Sequence, residues 1–143
     1  MAIKQISIFL ENKQGTLVQI TQVFADLKIN LKAMSLADST DFGIARIIVD
    51  NPDEIVTKIQ QKDYIAKVND VIAIEIPDET GSLNSILKLL AENGRNVEYM
   101  YGFTGKKTNS AYMIMRTTDI EKAEVVLKNA GIKTLDQKDL GEI

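Results

Sequence analysis

The chain contains neither cysteine nor histidine. The first absence excludes disulfides, thiolate metal sites and cysteine nucleophiles. The second removes the commonest general base and the commonest zinc ligand. No apolar run is long enough to span a bilayer, and the amino terminus, Met1-Ala2-Ile3-Lys4-Gln5, opens no signal-peptide-like segment. No membrane partner is expected, and a cytoplasmic location is. Positive charge is not in excess either: 17 Lys and Arg stand against 20 Asp and Glu, a net charge of −3. The basic footprint of a nucleic-acid surface is missing. Asp, Glu, Lys, Ser and Tyr remain as chemical groups, but their spacing converges on no catalytic residues. No metal or cofactor is expected.

What is present is a repeat. At an offset of 66 residues, Ile6, Ile8, Gly15, Leu17, Ile20, Ala25, Asn30 and Met34 fall on Ile72, Ile74, Gly81, Leu83, Ile86, Ala91, Asn96 and Met100. Self-similarity at a fixed period decides architecture before any single element does. It divides the chain into repeat one, residues 1–69, and repeat two, residues 70–143, each of about 70 residues. A unit of that size buries only about 60% of its unfolded surface. The repeats are therefore expected to pack as a pseudo-symmetric pair.

Within repeat one, Ile6, Ile8 and Leu10 alternate with Gln5, Ser7 and Phe9, the period of a half-buried strand. After the polar turn Glu11–Gly15 the period changes. Leu17, Ile20, Val23, Phe24 and Leu27 form one helical stripe, ended by Lys28-Ile29-Asn30. Strands are expected over Leu31–Ala37 and Gly43–Asp50, a helix from Asn51-Pro52-Asp53 with Ile55, Val56 and Ile59 inward, and a short strand over Tyr64–Val68. Only Asn69-Asp70 separates that strand from the first strand of repeat two, Val71–Ile76.

Repeat two follows the same series: a helix with Leu83, Ile86, Leu87, Leu89 and Leu90 inward, closed by Gly94; strands over Val97–Phe103 and Ala111–Arg116; a helix over Asp119–Ala130; and a last strand over Ile132–Leu135. The Lys-rich hairpin Gly105–Thr108 reads as a solvated turn, and Asp136–Glu142 as a loose charged tail. The fold class is α+β: two βαββαβ, ferredoxin-like units, each an antiparallel sheet with its helices on one face.

Such a fold hosts many functions, so function must come from the repeated details. Each repeat joins its first strand to its first helix by a polar loop ending in Gly-(Thr/Ser)-Leu, and each has an asparagine before its second strand. These are Asn12-Lys13-Gln14-Gly15-Thr16-Leu17 with Asn30-Leu31, and Asp78-Glu79-Thr80-Gly81-Ser82-Leu83 with Asn96-Val97. On these residues the chain resembles the ACT domain, a regulatory module that binds amino acids, as two copies in tandem over nearly the whole length.

The resemblance implies a non-catalytic sensor of a free amino acid, held between the two repeats, with a separate regulated enzyme. It implies that Asn12–Leu17 act with Asn96 and Val97, and Asp78–Leu83 with Asn30 and Leu31. The physics suits such a ligand. Glycine permits a sharp turn and close approach to the backbone, and the unpaired N–H groups of the following helix favour a carboxylate. The ammonium group calls for an acceptor such as Asn12, Asp78, Asn30 or Asn96. Where the family commonly has proline before the loop glycine, this chain has Gln14 and Thr80, which implies a softer loop.

A purely structural reading of the same residues exists. Thr16-Leu17-Val18-Gln19 matches a capping box, and Ser82 is placed to cap likewise. The loops also differ in charge, Asn12-Lys13 against Asp78-Glu79, so two bound ligands would not be held equally.

Tyr99, Tyr101 and Phe103 stand on one face of a strand, where repeat one has only Ala33, Ser35 and Ala37. With Met34 and Leu36 assigned to the helix-covered core, this row falls on the open face of the sheet. It reads as a contact surface for a homodimer or another protein, or as packing within the sheet. Stacking of RNA on these rings is disfavoured by the acidic balance. The alternative function is therefore a structural or interaction module that uses the open face of repeat two.

Overall fold

The computed structural model describes residues 2–143. The chain divides into two compact units, Lys4–Asn69 in one and Asp70–Ile143 with residues 2 and 3 in the other. The first holds β1 (Ile3–Glu11), α1 (Thr16–Asp26), β2 (Ala33–Asp38), β3 (Phe42–Ile48), α2 (Pro52–Gln60) and the beginning of β4 (Ile65–Pro77). The second holds the rest of β4, α3 (Ser82–Glu92), β5 (Val97–Phe103), β6 (Ser110–Thr117), α4 (Ile120–Asn129), β7 (Lys133–Leu135) and a short α5 (Gln137–Glu142).

In the first unit β3 lies antiparallel between β1 and β2, with Ile6 opposite Ile47 and Glu11 opposite Phe42, and the strand order is β2-β3-β1-β4. In the second unit β6 lies between β4 and β5, and β7 pairs with the other edge of β4, giving β7-β4-β6-β5. Each is the ferredoxin-like βαββαβ fold.

The period of two explains where each core sits. Ile6, Ile8 and Leu10 point to one face, where they meet Ile20 and Phe24 of α1, Val56 and Ile59 of α2, and Ala45 and Ile47 of β3. In the second unit Ile72, Ile74 and Ile76 meet Ile86 and Leu90 of α3, Ala123 and Leu127 of α4, and Met115 of β6. A fully buried isoleucine such as Ile20 or Ile74 contributes about 1.5–3 kcal/mol by its removal from water, so each unit rests on one continuous helix-covered face.

The first helix of each unit ends in the same way. Lys28 N–H donates to Ala25 O at 3.1 Å and Ile29 N–H to Phe24 O at 2.9 Å. Gly94 N–H donates to Ala91 O at 3.0 Å and Arg95 N–H to Leu90 O at 2.8 Å. Both are Schellman closures, which put the residue after the C-cap in the left-handed region.

Three expectations are corrected. Asn69-Asp70 does not interrupt the chain's extended run: β4 continues from Ile65 to Pro77. Both residues find partners without turning, since Asn69 Oδ1 accepts from Ser7 Oγ at 2.6 Å and Asp70 O accepts from Arg116 Nη1 at 2.7 Å. The tail is not loose. It forms α5, started by a reciprocal capping box between Asp136 and Asp139, with Leu140 buried. Finally, Leu17 and Leu36 are not core residues but are 40% and 50% exposed. Leu17 stands in the first turn of α1, and Leu36 lies on the edge strand β2.

Candidate functional site at the glycine turns

Gly15 and Gly81 adopt φ of +89° and +90°, the left-handed region that an L side chain enters only at a cost. A Cβ at either position would meet nothing within 4 Å, so the requirement is for the backbone angle, not for space. The turns are built alike. Asn12 N–H donates to Asp41 O at 2.9 Å, and Asp78 N–H to Asn109 O at 2.8 Å. Thr16 N–H donates to Lys13 O at 3.3 Å, and Ser82 N–H to Glu79 O at 3.2 Å. Gln19 N–H then donates to Gly15 O at 3.1 Å and Ser85 N–H to Gly81 O at 3.0 Å, the first bonds of α1 and α3. The N–H groups of Leu17 and Val18, and of Leu83 and Asn84, precede those bonds and have no intrahelical partner.

The capping-box reading is overturned. The N-caps are Gly15 and Gly81, and neither α1 nor α3 has a side-chain cap. Because the glycine itself turns the chain, Thr16 and Ser82 are the first helical residues, one place too late to cap. Thr16 Oγ1 is left buried with no hydrogen-bond partner, a condition that costs about 1–3 kcal/mol.

Two cavities adjoin the first turn. One of about 70 Å³ brings Asn12, Lys13, Thr16 and Leu17 to Leu36, Ala37, Asp38 and Gly43. The other, about 310 Å³, brings Lys13, Thr16 and Gln19 to Phe9, Glu11, Phe42, Asp63, Tyr64 and Ile65. The Asn12 amide is oriented by its own Nδ2, which donates to Ser39 O at 2.9 Å. Gln14 is exposed and lines neither cavity. Asn30 stands past the opposite end of α1, lining a polar cavity of about 240 Å³ with Asp50, Asn51, Glu54 and Lys58, while Leu31 packs against the first core.

In the second unit Asp78, Glu79 and Thr80 are exposed, and Ser82 and Leu83 are partly buried. Asn96 is tied to the far end of the sheet: its N–H donates to Thr118 Oγ1 at 3.1 Å and its O accepts from Thr118 N–H at 2.9 Å. Val97 packs against the second core. Within each repeat, then, the glycine turn and the asparagine lie at opposite ends of the first helix.

Phe9, Phe42 and Ile65 were not among the sequence candidates. Their signal was an apolar side chain at a position whose strand neighbours point to the core, and it is visible only once the register is known. The aromatic row of repeat two behaves differently from the expected open patch. Tyr99, Tyr101 and Phe103 are all partly buried, and Phe103 packs on Tyr112 with ring centroids 5.3 Å apart.

The hairpin beside that row is not merely solvated. Lys107 Nζ lies 3.2 Å from Glu75 Oε1, Lys133 Nζ lies 3.8 Å from Glu75 Oε2, and Tyr112 Oη donates to Glu75 Oε1 at 2.9 Å. Burial raises the Glu75 carboxyl pKa, but the bonds from Tyr112 and Lys107 and the charges of Lys133 and Lys107 outweigh it, and the net shift is downward. The bond to Glu75 raises Lys107, and burial followed by the bond to Glu75 raises Tyr112. Each shift moves the group away from neutrality, opposite to the tuning of an acid–base catalyst. The cluster reads as a structural ion network. Among the described residues, no group of His, Cys, Asp and Glu is placed to hold a metal ion, and no helix is long and apolar enough to cross a membrane.

The chain is thus a tandem of two ferredoxin-like units, each with a left-handed glycine opening its first helix. The family of ACT domain pairs matches residues 1–143, and the chain belongs to that family. Its structure is similar to that of protein BT0572 from Bacteroides thetaiotaomicron, with a TM-score of 0.92 and 37% identity over 100% of this chain and 98% of that one. The same fold occurs in the regulatory subunit of aspartate kinase from Thermus thermophilus in its ligand-free form, with a TM-score of 0.64 and 16% identity over 90% of each chain. It occurs again in the corresponding subunit from Thermus flavus, with a TM-score of 0.63 and 15% identity over 87% of this chain and 88% of that one. No curated protein matches the chain.

Proposed function

We propose that this ACT domain pair is a cytoplasmic sensor of a free amino acid that performs no chemistry and reports to a separate enzyme. The observation that carries the reading is the pair of left-handed glycines. Gly15 and Gly81 each open a helix directly from a loop, leaving the first N–H groups of that helix without intrahelical partners. Those donors and the helix dipole match a carboxylate. At the first turn the orphaned Thr16 Oγ1 adds an unmet hydrogen bond that ligand-induced rearrangement of the loop would satisfy. That chains of this fold serve as regulatory subunits of aspartate kinase supports placing the ligand among amino acids.

The binding residues in this reading are Asn12–Leu17 in repeat one and Asp78–Leu83 in repeat two. The family resemblance also names Asn30, Leu31, Asn96 and Val97, which lie at the other end of the first helix of their own repeats. Assembly as a homodimer is part of the same proposal.

A thermal-shift screen of the twenty amino acids against the whole chain is the direct test. A ligand at 100 times its dissociation constant stabilises by about 2.7 kcal/mol, a rise of several degrees in a chain of this size. No rise with any amino acid at millimolar concentration sinks the reading. The alternative, an interaction module on the open face of repeat two, is not favoured. Its aromatic residues are partly buried, and Ile143, just past α5, stands against Tyr112 and Gly105 on that face.

A further inference from the structure

Among the described residues, the large apolar side chains that the fold leaves exposed are concentrated in repeat one: Phe9, Leu17, Val18, Leu36, Phe42 and Ile65, with Val125 alone in repeat two. Three of them are grouped: Phe9, Phe42 and Ile65 line the cavity of about 310 Å³ to which Thr16 and Lys13 also contribute. Exposed apolar side chains gathered at one place mark a contact. A cavity of this size is at the small end of ligand pockets, suited to a metabolite and not to a macromolecule. Its charges are those a zwitterion needs: Lys13 and Glu11, which pair with each other at 2.8 Å and which a carboxylate and an ammonium group would part, together with Asp63.

The equivalent positions of repeat two have lost this character. Phe9 corresponds to Glu75 by the 66-residue offset. Phe42 is paired with Glu11, and its counterpart paired with Pro77 is Ser110. Ile65 follows the residue that packs on the core after α2, and the matching residue after α4 is Lys133. Where repeat one has Phe9 and Ile65, repeat two has the ion pair Glu75–Lys133, and the remaining cavity of about 160 Å³ is walled by Tyr112 and Ile143.

We infer that repeat one alone binds the amino acid, one per chain, and that this ligand has a large apolar side chain, aromatic or branched aliphatic. The side chain lies against Phe9, Phe42 and Ile65. The carboxylate meets Lys13, and the ammonium group meets Glu11 or Asp63. The inference rests on the amino-acid reading, narrows its two candidate turns to the first, removing Asp78–Leu83 from the site, and adds what that turn selects.

Calorimetric titration of the whole chain with phenylalanine, leucine and isoleucine, and separately with threonine, lysine and aspartate, tests it. The expected result is one site per chain and apolar ligands bound about tenfold or more tightly than polar ones. Phe42→Ser should weaken the apolar ligand about tenfold, and because Phe42 is 57% exposed the variant should still fold. Glu75→Gln in repeat two should leave binding unchanged. Preference for a polar amino acid, or two equal sites, overturns the inference while the amino-acid reading stands. Binding of no amino acid overturns both. If Phe42→Ser instead dissociates a dimer in sedimentation and leaves ligand affinity intact, the apolar cluster is an interface between copies and the inference fails.

Discussion

Lys28 holds in α1 the left-handed position that Gly94 holds in α3. The two are 66 residues apart in sequence, each follows the C-cap of its helix, and their φ angles are +57° and +70°. The same pair of backbone hydrogen bonds closes each helix. Repeat two fills the position with the residue that suits it, and repeat one with a residue that does not.

Lys28→Gly should therefore stabilise the chain. An L side chain in this region costs about 1–2 kcal/mol, while glycine's extra freedom in the unfolded chain takes back part of the gain. The net effect expected is about 1 kcal/mol, or roughly 3 °C in melting temperature. Lys28 is exposed. Thermal denaturation of the two proteins side by side decides it, and an unchanged or lower midpoint would show that the Lys28 side chain makes a favourable contact.

Gly15→Ala should do the reverse and also weaken ligand binding. The added methyl group has open space around it, so the loss is purely of backbone conformation, about 1–2 kcal/mol. Gly81→Ala should destabilise by a similar amount, since its φ is the same to within a degree. The two variants separate in titration: Gly15→Ala loses ligand affinity and Gly81→Ala keeps it. Equal losses in both would mean that the second turn also binds.

Why these glycines were readable while their neighbours were not is a matter of what sequence encodes locally. A glycine before a helical stripe signals a backbone angle, and that requirement holds whatever packs around it. The capping-box pattern at Thr16 misled because Ser and Thr near a helix start look the same at N-cap and at N1, and only the angle at Gly15 distinguishes them. Leu17 and Leu36 sat in the right periodicity for the core. Period tells which side of an element a residue is on, not whether the covering layer reaches that far. Asn69-Asp70 carried turn residues through a straight strand because their polar groups were satisfied by Ser7 and Arg116, which are 62 and 46 residues away in sequence. For α5, a single buried apolar residue, Leu140, was too little to register as a stripe.

Stability should fall in acid partly through Glu75. Its carboxyl titrates below the ordinary value of 4.5 in the folded chain because of Tyr112, Lys107 and Lys133, which outweigh the effect of burial. A depressed folded pKa contributes stability that is complete above the unfolded value and is lost as pH falls through the folded one. Lys107 is shifted upward from 10.5, so its share is complete below that value and disappears as pH rises through the higher folded one. Glu75→Gln should flatten both ends of the stability profile. Urea midpoints measured across the acid range would show it, and parallel curves for the two proteins would remove Glu75 from the account.

Gly105 is the residue on which the docking of the carboxy-terminal segment should be most sensitive. A Cβ at this position would overlap the ring of Tyr112 and Cγ2 of Ile143. Tyr112 is buried and bonded to Glu75, so it has little room to yield, whereas Ile143 is only partly buried. Gly105→Ala should therefore displace Ile143 and loosen α5, at about 1–3 kcal/mol if the whole overlap is felt as overpacking. Asp136→Ala should reach the same end from the other side. Asp136 accepts from Asp139 N–H at 2.8 Å and Asp139 Oδ2 accepts from Asp136 N–H at 2.9 Å, and loss of such a cap costs about 0.5–2 kcal/mol. Hydrogen exchange over residues 137–143 should quicken in both variants while the cores around Ile8 and Ile74 keep their protection. Binding at repeat one should persist in both. If α5 stays protected in Gly105→Ala, the hairpin rather than the tail has moved, and the tail is held by Leu140 alone.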